Sequence, residues 1–274
     1  MNDDQLKSLC SVIELPNEVA DEVLTLSATF DLTPLAPLMA NLLSLDTAKE
    51  AHESLKSQLE EDDPRGFKML TIFLSTALKS REMYIAKGIG ENIFVETMKI
   101  FTRMSYEYHG ANGCFGFDKG WWTYRQLSLS LFRLGILEFE IKPEDNTLSV
   151  HIPSDAVMTR ESLNDSYTQA ISFFAKHFAD FKYTDIACHT WLLSPELKNL
   201  LPENSKILSF ASDYEVKYNF PDEEDFMEWI FKKKYPTHDD LPEDTFLQRT
   251  VKAHLKANGK IGAAYGVYEG ANPC

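Results

Sequence analysis

No run of apolar residues in this 274-residue sequence approaches the length of about 18 that a bilayer-spanning helix takes. The first ten residues, MNDDQLKSLC, are acidic and lack the basic-then-apolar layout of a secretory signal peptide. Cysteine is scarce and shows none of the spacings typical of metal ligands; the four cysteines are Cys10, Cys114, Cys188 and Cys274. We therefore expect a cytoplasmic protein with reduced thiols and no bound metal.

Basic residues are also few. The chain has 42 acidic residues against 27 Lys and Arg, which gives a formal net charge of −15. A surface this negative repels the phosphates of nucleic acids and of anionic lipids, so neither nucleic acid nor membrane is an expected partner. The same field attracts cationic small molecules and cationic peptides.

Helical periodicity dominates the first part of the chain. In segment 66–87, and again in segment 91–108, apolar residues recur at steps of three and four, which is typical of amphipathic helices. The glycine-rich stretch HGANGCFGFDKG (109–120) interrupts this pattern ahead of a helix predicted to run from Trp121 to Leu134. These patterns predict a helical N-terminal domain over residues 1–120 and a second domain over residues 121–274.

Beyond Gly135 the apolar residues alternate with a period of two. The segments ILEFEIK (136–142) and TLSVHI (147–152), joined by the turn PEDN, predict a β-hairpin in which Glu138 lies opposite His151 and Glu140 opposite Ser149. The later patterns predict, in order, a long helix starting near Thr159, a strand at 184–191, a helix at 194–201, a strand at 206–210, an extended segment at 214–220, helices near 222–233 and 243–257, and a closing strand after Gly259. The predicted fold class is therefore α/β (α+β), with a helical domain followed by a mixed sheet flanked by helices.

Five stretches carry a resemblance to a known family: WWTYRQLSLSLFRLGILEFE, HIPSDAVMTRESL, CHTWLLSPEL, ILSF and LPEDTFLQRTVKAHLKANGKIG. They are spread over residues 121–262, and they resemble a bacterial family of acyltransferase-domain proteins with a helical N-terminal domain and a GNAT-like C-terminal domain. GNAT enzymes transfer acyl groups from coenzyme A to amines. The resemblance implies acetyl-CoA or another acyl-CoA as co-substrate and a small-molecule or peptide amine as acceptor.

The resemblance also implies where coenzyme A would bind. In active GNAT enzymes two neighbouring strands splay apart around the pantetheine arm, and by resemblance these are strands 147–152 and 184–191. The pyrophosphate would lie at the start of the helix that follows the first of them. This assigns a cofactor-binding role to Ile152, Pro153, Ser154, Thr159, Arg160 and Ser162.

The junction HIPSDAVMTRESLNDS (151–166) departs from the phosphate loop of that family. The family pattern, Gln/Arg-x-x-Gly-x-Gly/Ala, lets the backbone approach the ligand at its glycines, whereas this junction has no glycine and carries Asp155 and Glu161. Both carboxylates repel a pyrophosphate, and Arg160 offsets part of their charge. Two roles, helix capping and ligand contact, fit the hydroxyls of Ser154, Thr159 and Ser162.

Aminolysis of a thioester needs a base that accepts the proton of the attacking amine. A pair formed by Glu138 and His151 on the polar face of the hairpin is the first candidate base, with a solvent-exposed pair as its structural alternative. His189 on strand 184–191 is the second candidate base, and a packed core histidine is its alternative.

Acceptor contacts are predicted for Glu140, Trp191 and Tyr124, and plain packing is the alternative for the two aromatic residues. Many GNAT enzymes protonate the leaving thiolate with a tyrosine on the helix after the second splayed strand. The matching segment, SPELKNLL, has no tyrosine, so Tyr214 or Tyr218 would replace it only if the chain folds back.

Two functions from different classes fit the sequence. One is an N-acyltransferase that uses acyl-CoA, which the fold resemblance and the polar residues Glu138, His151 and His189 favour. The other is a non-catalytic protein of GNAT-like shape that binds a metabolite or a protein partner in the crevice between its domains. The missing glycine loop and the missing tyrosine favour this second function.

Overall fold

The computed structural model of the protein describes residues 3–59, 62–232 and 235–270. They form two compact units, divided between Leu134 and Gly135. The sequence patterns put the change of domain at residue 120. At the observed division Gly135 has a φ of +65°, and a Cβ added there would lie 2.4 Å from Ser166 Oγ, so this position requires glycine.

The first unit consists mainly of helices, as its periodicity predicts. Its central helix, α5 (Phe67–Ala86), is buried at almost every position from Phe67 to Ala77, which is typical of a helix surrounded by others. The remaining elements of this unit are α1 (Asp3–Val12), α2 (Asn17–Thr29), α3 (Ala36–Asn41), α4 (Ala48–Leu59), α6 (Glu91–Met98), α7 (Ile100–Asn112), α8 (Gly120–Leu127) and a short strand, β1 (Leu131–Leu134).

Two helix predictions in this unit are wrong in their extent. Segment 91–108 is divided between α6 and α7, which are separated at Lys99. The helix predicted from Trp121 to Leu134 ends at Leu127, because Leu129 adopts a φ of +55°, a left-handed conformation that does not continue a helix. Residues Leu131–Leu134 form β1. The apolar spacing of so short a run fits a strand and a helix equally well, so the sequence did not distinguish them.

Among the helices of residues 3–59, 62–232 and 235–270, no single one is both long and apolar enough to cross a bilayer. Segments 17–29 and 33–41 meet the requirement of length and composition together, but they are bent by 94° at the break between them.

The second unit contains a mixed sheet with helices around it, which confirms the predicted fold class. Its strands are β2 (Leu137–Lys142), β3 (Thr147–His151), β4 (Asp185–Thr190), β5 (Tyr214–Phe220) and β6 (Ala263–Tyr268), in the spatial order β2-β3-β4-β6-β5. Only β3 and β4 are parallel among these neighbouring pairs. Its helices are α9 (Arg160–His177), α10 (Leu197–Leu200), α11 (Lys206–Ala211), α12 (Phe226–Phe231) and α13 (Phe246–Lys256).

Helix α9 covers one face of this sheet. Its Tyr167 ring meets Phe139 of β2 edge to face, with ring centroids 6.1 Å apart, and its Leu163, Ala170 and Phe174 are fully buried or nearly so. A second, smaller core joins α10, α12 and α13 and includes Leu197, Phe226, Ile230, Val251 and Leu255.

One strand prediction in this unit is wrong. Residues 206–210 were predicted as a strand, but Lys206–Ala211 form α11, whose start is capped by Ser205 Oγ accepting from Ile207 N at 3.2 Å. The helix predicted at 194–201 is reduced to α10, after a 3₁₀ turn at Trp191–Leu193. The predicted hairpin, the strand at 184–191, the extended segment at 214–220 and the closing strand are confirmed.

Candidate functional site

The candidate site lies where β3 and β4 stop pairing with each other. Their parallel pairing runs from Thr147 opposite Asp185 to Ser149 opposite Ala187 and, within these two fully described strands, ends there. Beyond that point β3 stays paired with β2 as far as His151, whereas β4 stays paired with β6 as far as Thr190. The strands therefore diverge into a fork, formed by residues 150–151 and 188–190, at the place where the family resemblance implies splayed strands.

His151 lies on the β3 side of the fork and contacts a buried carboxylate. Its Nε2 is 2.8 Å from Oε2 of Glu140, and Oε1 of the same glutamate is 2.9 Å from Lys142 Nζ. The side chain of Glu140 is 5 % exposed and that of His151 is 23 % exposed. A carboxylate held in this way fixes the orientation of the imidazole.

The hairpin has the predicted register, but this hydrogen bond of His151 is to a diagonal neighbour. Glu138 lies opposite His151, and Glu140 lies opposite Ser149. Long side chains at diagonal positions on neighbouring strands can reach each other. The predicted register already places Glu140 diagonal to His151, so the sequence contained the signal for this partner. Both glutamates are buried, so the alternative that Glu138 and His151 form a solvent-exposed pair is wrong.

The residues that follow the fork lead to a capped helix. Ile152 is half-buried, Pro153 is buried and Ser154 is exposed. At the start of α9, Thr159 Oγ1 accepts from Ser162 N at 3.1 Å, and Ser162 Oγ accepts from Thr159 N at 3.0 Å. These two hydroxyls therefore have the capping role that the sequence left open.

Arg160 is engaged by protein groups. Its Nη1 donates to both carboxylate oxygens of Asp213, at 2.6 and 2.7 Å, and its Nη2 donates to Ser209 Oγ at 2.8 Å and to the Ser209 carbonyl. This clamp ties the start of α9 to the segment that leads into β5. A phosphate bound by Arg160 would have to compete with a bidentate carboxylate.

His189 lies on the β4 side of the fork. Its Nε2 is 2.9 Å from Oε2 of Glu223, and its ring packs on Phe220 with centroids 4.8 Å apart. Its side chain is 45 % exposed, so the alternative of a packed core histidine is wrong. If the β3–β4 register is continued by two residues, His189 comes level with His151.

The two aromatic residues predicted to contact the acceptor lie in different units and have packing partners. Trp191 begins the 3₁₀ turn after β4 and packs against the smaller core of the second unit. Tyr124 lies on α8 in the first unit, stacked on the buried His52 with centroids 5.8 Å apart. Their contact with an acceptor stays a prediction.

Buried polar groups lie near the fork on the face of the sheet opposite to His189. Cys188 Sγ donates to the Val150 carbonyl at 3.1 Å, and burial raises the pKa of this thiol, which makes it unreactive. The hydroxyls of Tyr167 and Tyr214 lie 2.7 Å apart, and burial raises the pKa of both. Tyr218, the other tyrosine considered as a proton donor, is 65 % exposed.

The arrangement provides an opening in a sheet, a histidine–carboxylate pair on each side of it, and a helix that starts just beyond it. The first pair is suited to accept a proton from a nucleophile bound at the fork. Across the described ranges, no group of three or more His, Cys, Asp or Glu side chains is arranged to hold a metal ion.

Several solved acyltransferase structures share this fold. The chain superposes with a TM-score of 0.78 on an acyltransferase in complex with decanoyl-CoA and teicoplanin, at 23% identity over 97% of this chain and 87% of that one. An acyltransferase in complex with CoA and 10C-teicoplanin matches with a TM-score of 0.77 at 23% identity, covering 95% and 86% of the two chains. A mutant acyltransferase in complex with octanoyl-CoA matches with a TM-score of 0.78 at 22% identity, covering 97% and 87%. At these identities the likeness shows the fold alone.

Two family models match the sequence. The model of the N-acyltransferase N-terminal domain matches residues 4–129, and the model of the GNAT-like C-terminal domain matches residues 105–268. No curated protein matches the chain. Since the second model covers more than half of the 274 residues, the resemblance seen in the sequence is confirmed: the protein belongs to the family defined by the GNAT-like C-terminal domain.

Proposed function

We propose that the protein transfers an acyl group from acyl-CoA to the amine of a small-molecule acceptor. The observation that carries the proposal is the fork between β3 and β4 with the His151–Glu140 pair beside it. Structural neighbours in complex with decanoyl-CoA, octanoyl-CoA and teicoplanin support acyl-CoA and a small molecule as the two substrate classes.

The fork suits an extended ligand because the strand edges that face each other there do not pair beyond Ser149 and Ala187. Backbone N–H and C=O groups along such edges need hydrogen-bond partners. Cys188 Sγ is the partner of the Val150 carbonyl, and the amides of a pantetheine arm are suited to the other groups. Ile152, Pro153 and Ser154 then lead from the fork to the start of α9, where backbone N–H groups and the helix dipole attract a pyrophosphate.

The chemistry assigned to the chain is the removal of one proton. The ammonium group of the acceptor first loses one proton to solvent. The neutral amine nitrogen then bonds to the thioester carbonyl carbon, and the imidazole of His151 accepts the second proton, which the nitrogen loses as the amide forms. Glu140 stabilises the resulting imidazolium. The carbon–sulfur bond then breaks, and the proton ends on the sulfur, so that acyl-CoA and amine become an amide and CoA.

The acyl group is proposed to be acetyl, one of the acyl groups that the resemblance allows. The decanoyl and octanoyl groups bound by the structural neighbours make longer chains the alternative. Titration of the protein with the CoA thioester of each group compares acetyl, octanoyl and decanoyl directly.

A second candidate function is that of a non-catalytic protein that binds a metabolite through the same unit. One observation favours it: the side chains of Thr159, Arg160 and Ser162, which lie where a pyrophosphate would bind, already have partners in the capping box and the clamp.

Calorimetric titration and thermal denaturation of the full chain with acetyl-, octanoyl- and decanoyl-CoA test the proposal. A ligand at about 100 times its Kd stabilises the native state by about 2.7 kcal/mol, which thermal denaturation detects easily. A shift followed by transfer to an added amine supports the acyltransferase. Absence of heat and of any shift with all three at millimolar concentration contradicts it, and binding without transfer to any amine tested favours the second candidate.

A further inference from the structure

A row of aromatic side chains crosses the sheet on the β4 side of the fork. His189 on β4 pairs with Tyr265 on β6, and Tyr265 pairs with Tyr218 on β5. Residues directly opposite each other on neighbouring strands project from the same face of a sheet. Phe220 lies two residues after Tyr218 on β5 and therefore on that face too. We refer to His189, Tyr218, Phe220 and Tyr265 as the aromatic row.

These rings contact each other and are accessible to solvent. Tyr218 and Tyr265 have centroids 6.1 Å apart with 43° between their planes, and His189 and Phe220 have centroids 4.8 Å apart with 37° between theirs. Tyr218 is 65 % exposed, and Tyr265 and Phe220 are half-buried. Rings that support one another and keep exposed surface form a platform on which a flat ligand can stack.

The charges around the aromatic row are mainly acidic. Glu223 contacts His189, and Asp185 lies four residues earlier on the same face of β4. Glu215 shares the face through its pairing with Val267 and forms an ion pair with Lys217, which offsets its charge. Aromatic faces and carboxylates both attract a cation, as does the net charge of −15.

The aromatic row is level with the proposed base. Glu138 and His151 pair on β2 and β3, and the β3–β4 register continued by two residues brings His151 level with His189, at the near end of the row. The base and the platform therefore flank the fork on one face of the sheet. A molecule lying across that face reaches both.

We propose that the aromatic row binds the body of the acceptor, and that the acceptor is a cationic primary amine carried on a flat ring system. The ring stacks on Tyr218 and Tyr265, and the amine points to the fork and to His151. The identification of the bound amine as the acceptor rests on the proposed function, whereas its binding to the row does not require turnover.

Equilibrium binding of phenethylamine and n-butylamine to the full chain tests this proposal, measured by saturation-transfer NMR without acyl-CoA. Both probes carry one ammonium group, and only phenethylamine carries a ring. We expect phenethylamine to bind more tightly by about 3- to 10-fold, the range that one stacked ring contributes. Tyr218→Ala should weaken its binding by a similar factor, and Tyr218→Phe should preserve it.

Tyr106→Ala is the matched control, because Tyr106 is an exposed tyrosine (55 %) on α7 in the first unit. Equal binding of the two amines, or equal effects of Tyr218→Ala and Tyr106→Ala, would overturn the proposal. Failure of every acyl-CoA to bind would instead overturn the proposed function and leave the phenethylamine titration to decide on the aromatic row.

Discussion

The carboxylate of Glu140 contacts the imidazole of His151 at 2.8 Å, although the residue directly opposite His151 in the hairpin is Glu138. Glu140 also contacts Lys142, so one buried carboxylate contacts two side chains, one on β2 and one on β3. A histidine oriented in this way at the edge of a fork is the group on which the proposed reaction depends.

We expect His151→Ala to lower the rate of acyl transfer by about 10²- to 10⁴-fold, the usual contribution of a general base. Glu140→Gln keeps the size of the side chain and removes its charge, and it should lower the rate at least about tenfold because the imidazolium is no longer stabilised. Steady-state rates with acetyl-CoA and an excess of phenethylamine measure both effects.

Glu144→Gln is the control for Glu140→Gln, since it makes the same chemical change at an exposed position in the turn of the same hairpin. Acyl-CoA should still raise the melting temperature of every variant. A wild-type rate for Glu140→Gln would remove Glu140 from the mechanism, and a larger loss for Glu138→Gln would favour the residue opposite His151 instead.

A second prediction separates the two roles considered for Arg160. Arg160→Lys loses the bidentate contact with Asp213, and because the arginine is 44 % exposed the free energy of unfolding should fall by only about 0.5–1 kcal/mol. If the role of Arg160 is to hold Asp213 and Ser209, the affinity of Arg160→Lys for acyl-CoA should stay within about twofold of wild type, since no phosphate contact is lost. Urea unfolding and calorimetric titration measure the two quantities.

Arg81→Lys is a comparable change for the stability measurement, because Arg81 is 42 % exposed and contacts Glu91, which is 48 % exposed. A loss of acyl-CoA affinity of tenfold or more in Arg160→Lys, at unchanged stability, would instead support the phosphate contact that the resemblance implies.

What the sequence predicts well in this protein is local. The turn PEDN fixes the register of β2 with β3, because a one-residue slip would move Leu137 and Phe139 to the other face. Thr159 was predicted at the start of a helix, and it caps α9. The apolar run at 206–210 was misassigned because so short a run fits a strand or a helix, and the cap from Ser205 decided for the helix.

What the sequence did not predict depends on residues far apart in the chain. Arg160 and Asp213 are separated by 53 positions, and no local pattern relates them. His189 and Glu223 are 34 positions apart, and their contact depends on where the residues that follow β5 lie. The fork itself depends on β4 no longer pairing with β3 beyond Ala187 while its other edge stays paired with β6 as far as Thr190, and the period of the strands does not predict this.

A third prediction concerns the two buried hydroxyls near the fork. Tyr214→Phe leaves the hydroxyl of Tyr167 buried without its 2.7 Å partner, so the free energy of unfolding should fall by about 1–3 kcal/mol. Adding Tyr167→Phe removes the unpaired group and should recover most of that loss. Urea unfolding of the wild type, both single variants and the double variant completes the cycle, and strictly additive losses would show that the two hydroxyls are not coupled.

A fourth prediction follows from His52, which is 3 % exposed in the first unit, with its Nδ1 3.3 Å from a carboxylate oxygen of Glu53. Burial lowers the pKa of His52 below its usual 6.5, and the Glu53 charge opposes this only in part. The unfolded chain therefore takes up the proton first as pH falls. The contribution of His52 to stability is complete above a pH of about 6.5 and is lost as pH falls from there towards the pKa of the folded state.

We therefore expect the free energy of unfolding of the wild type to decrease between a pH of about 8 and a pH of about 5, and His52→Gln to show a smaller decrease. The comparison uses the slope with pH, so any loss of packing in the variant at both pH values cancels. His109→Gln is the control, because His109 is an exposed histidine of the same unit. A buried neutral imidazole resists protonation in the folded state, so its removal should reduce the pH dependence. If His52→Gln and the wild type lose the same free energy of unfolding over this range, a group other than His52 causes the pH dependence.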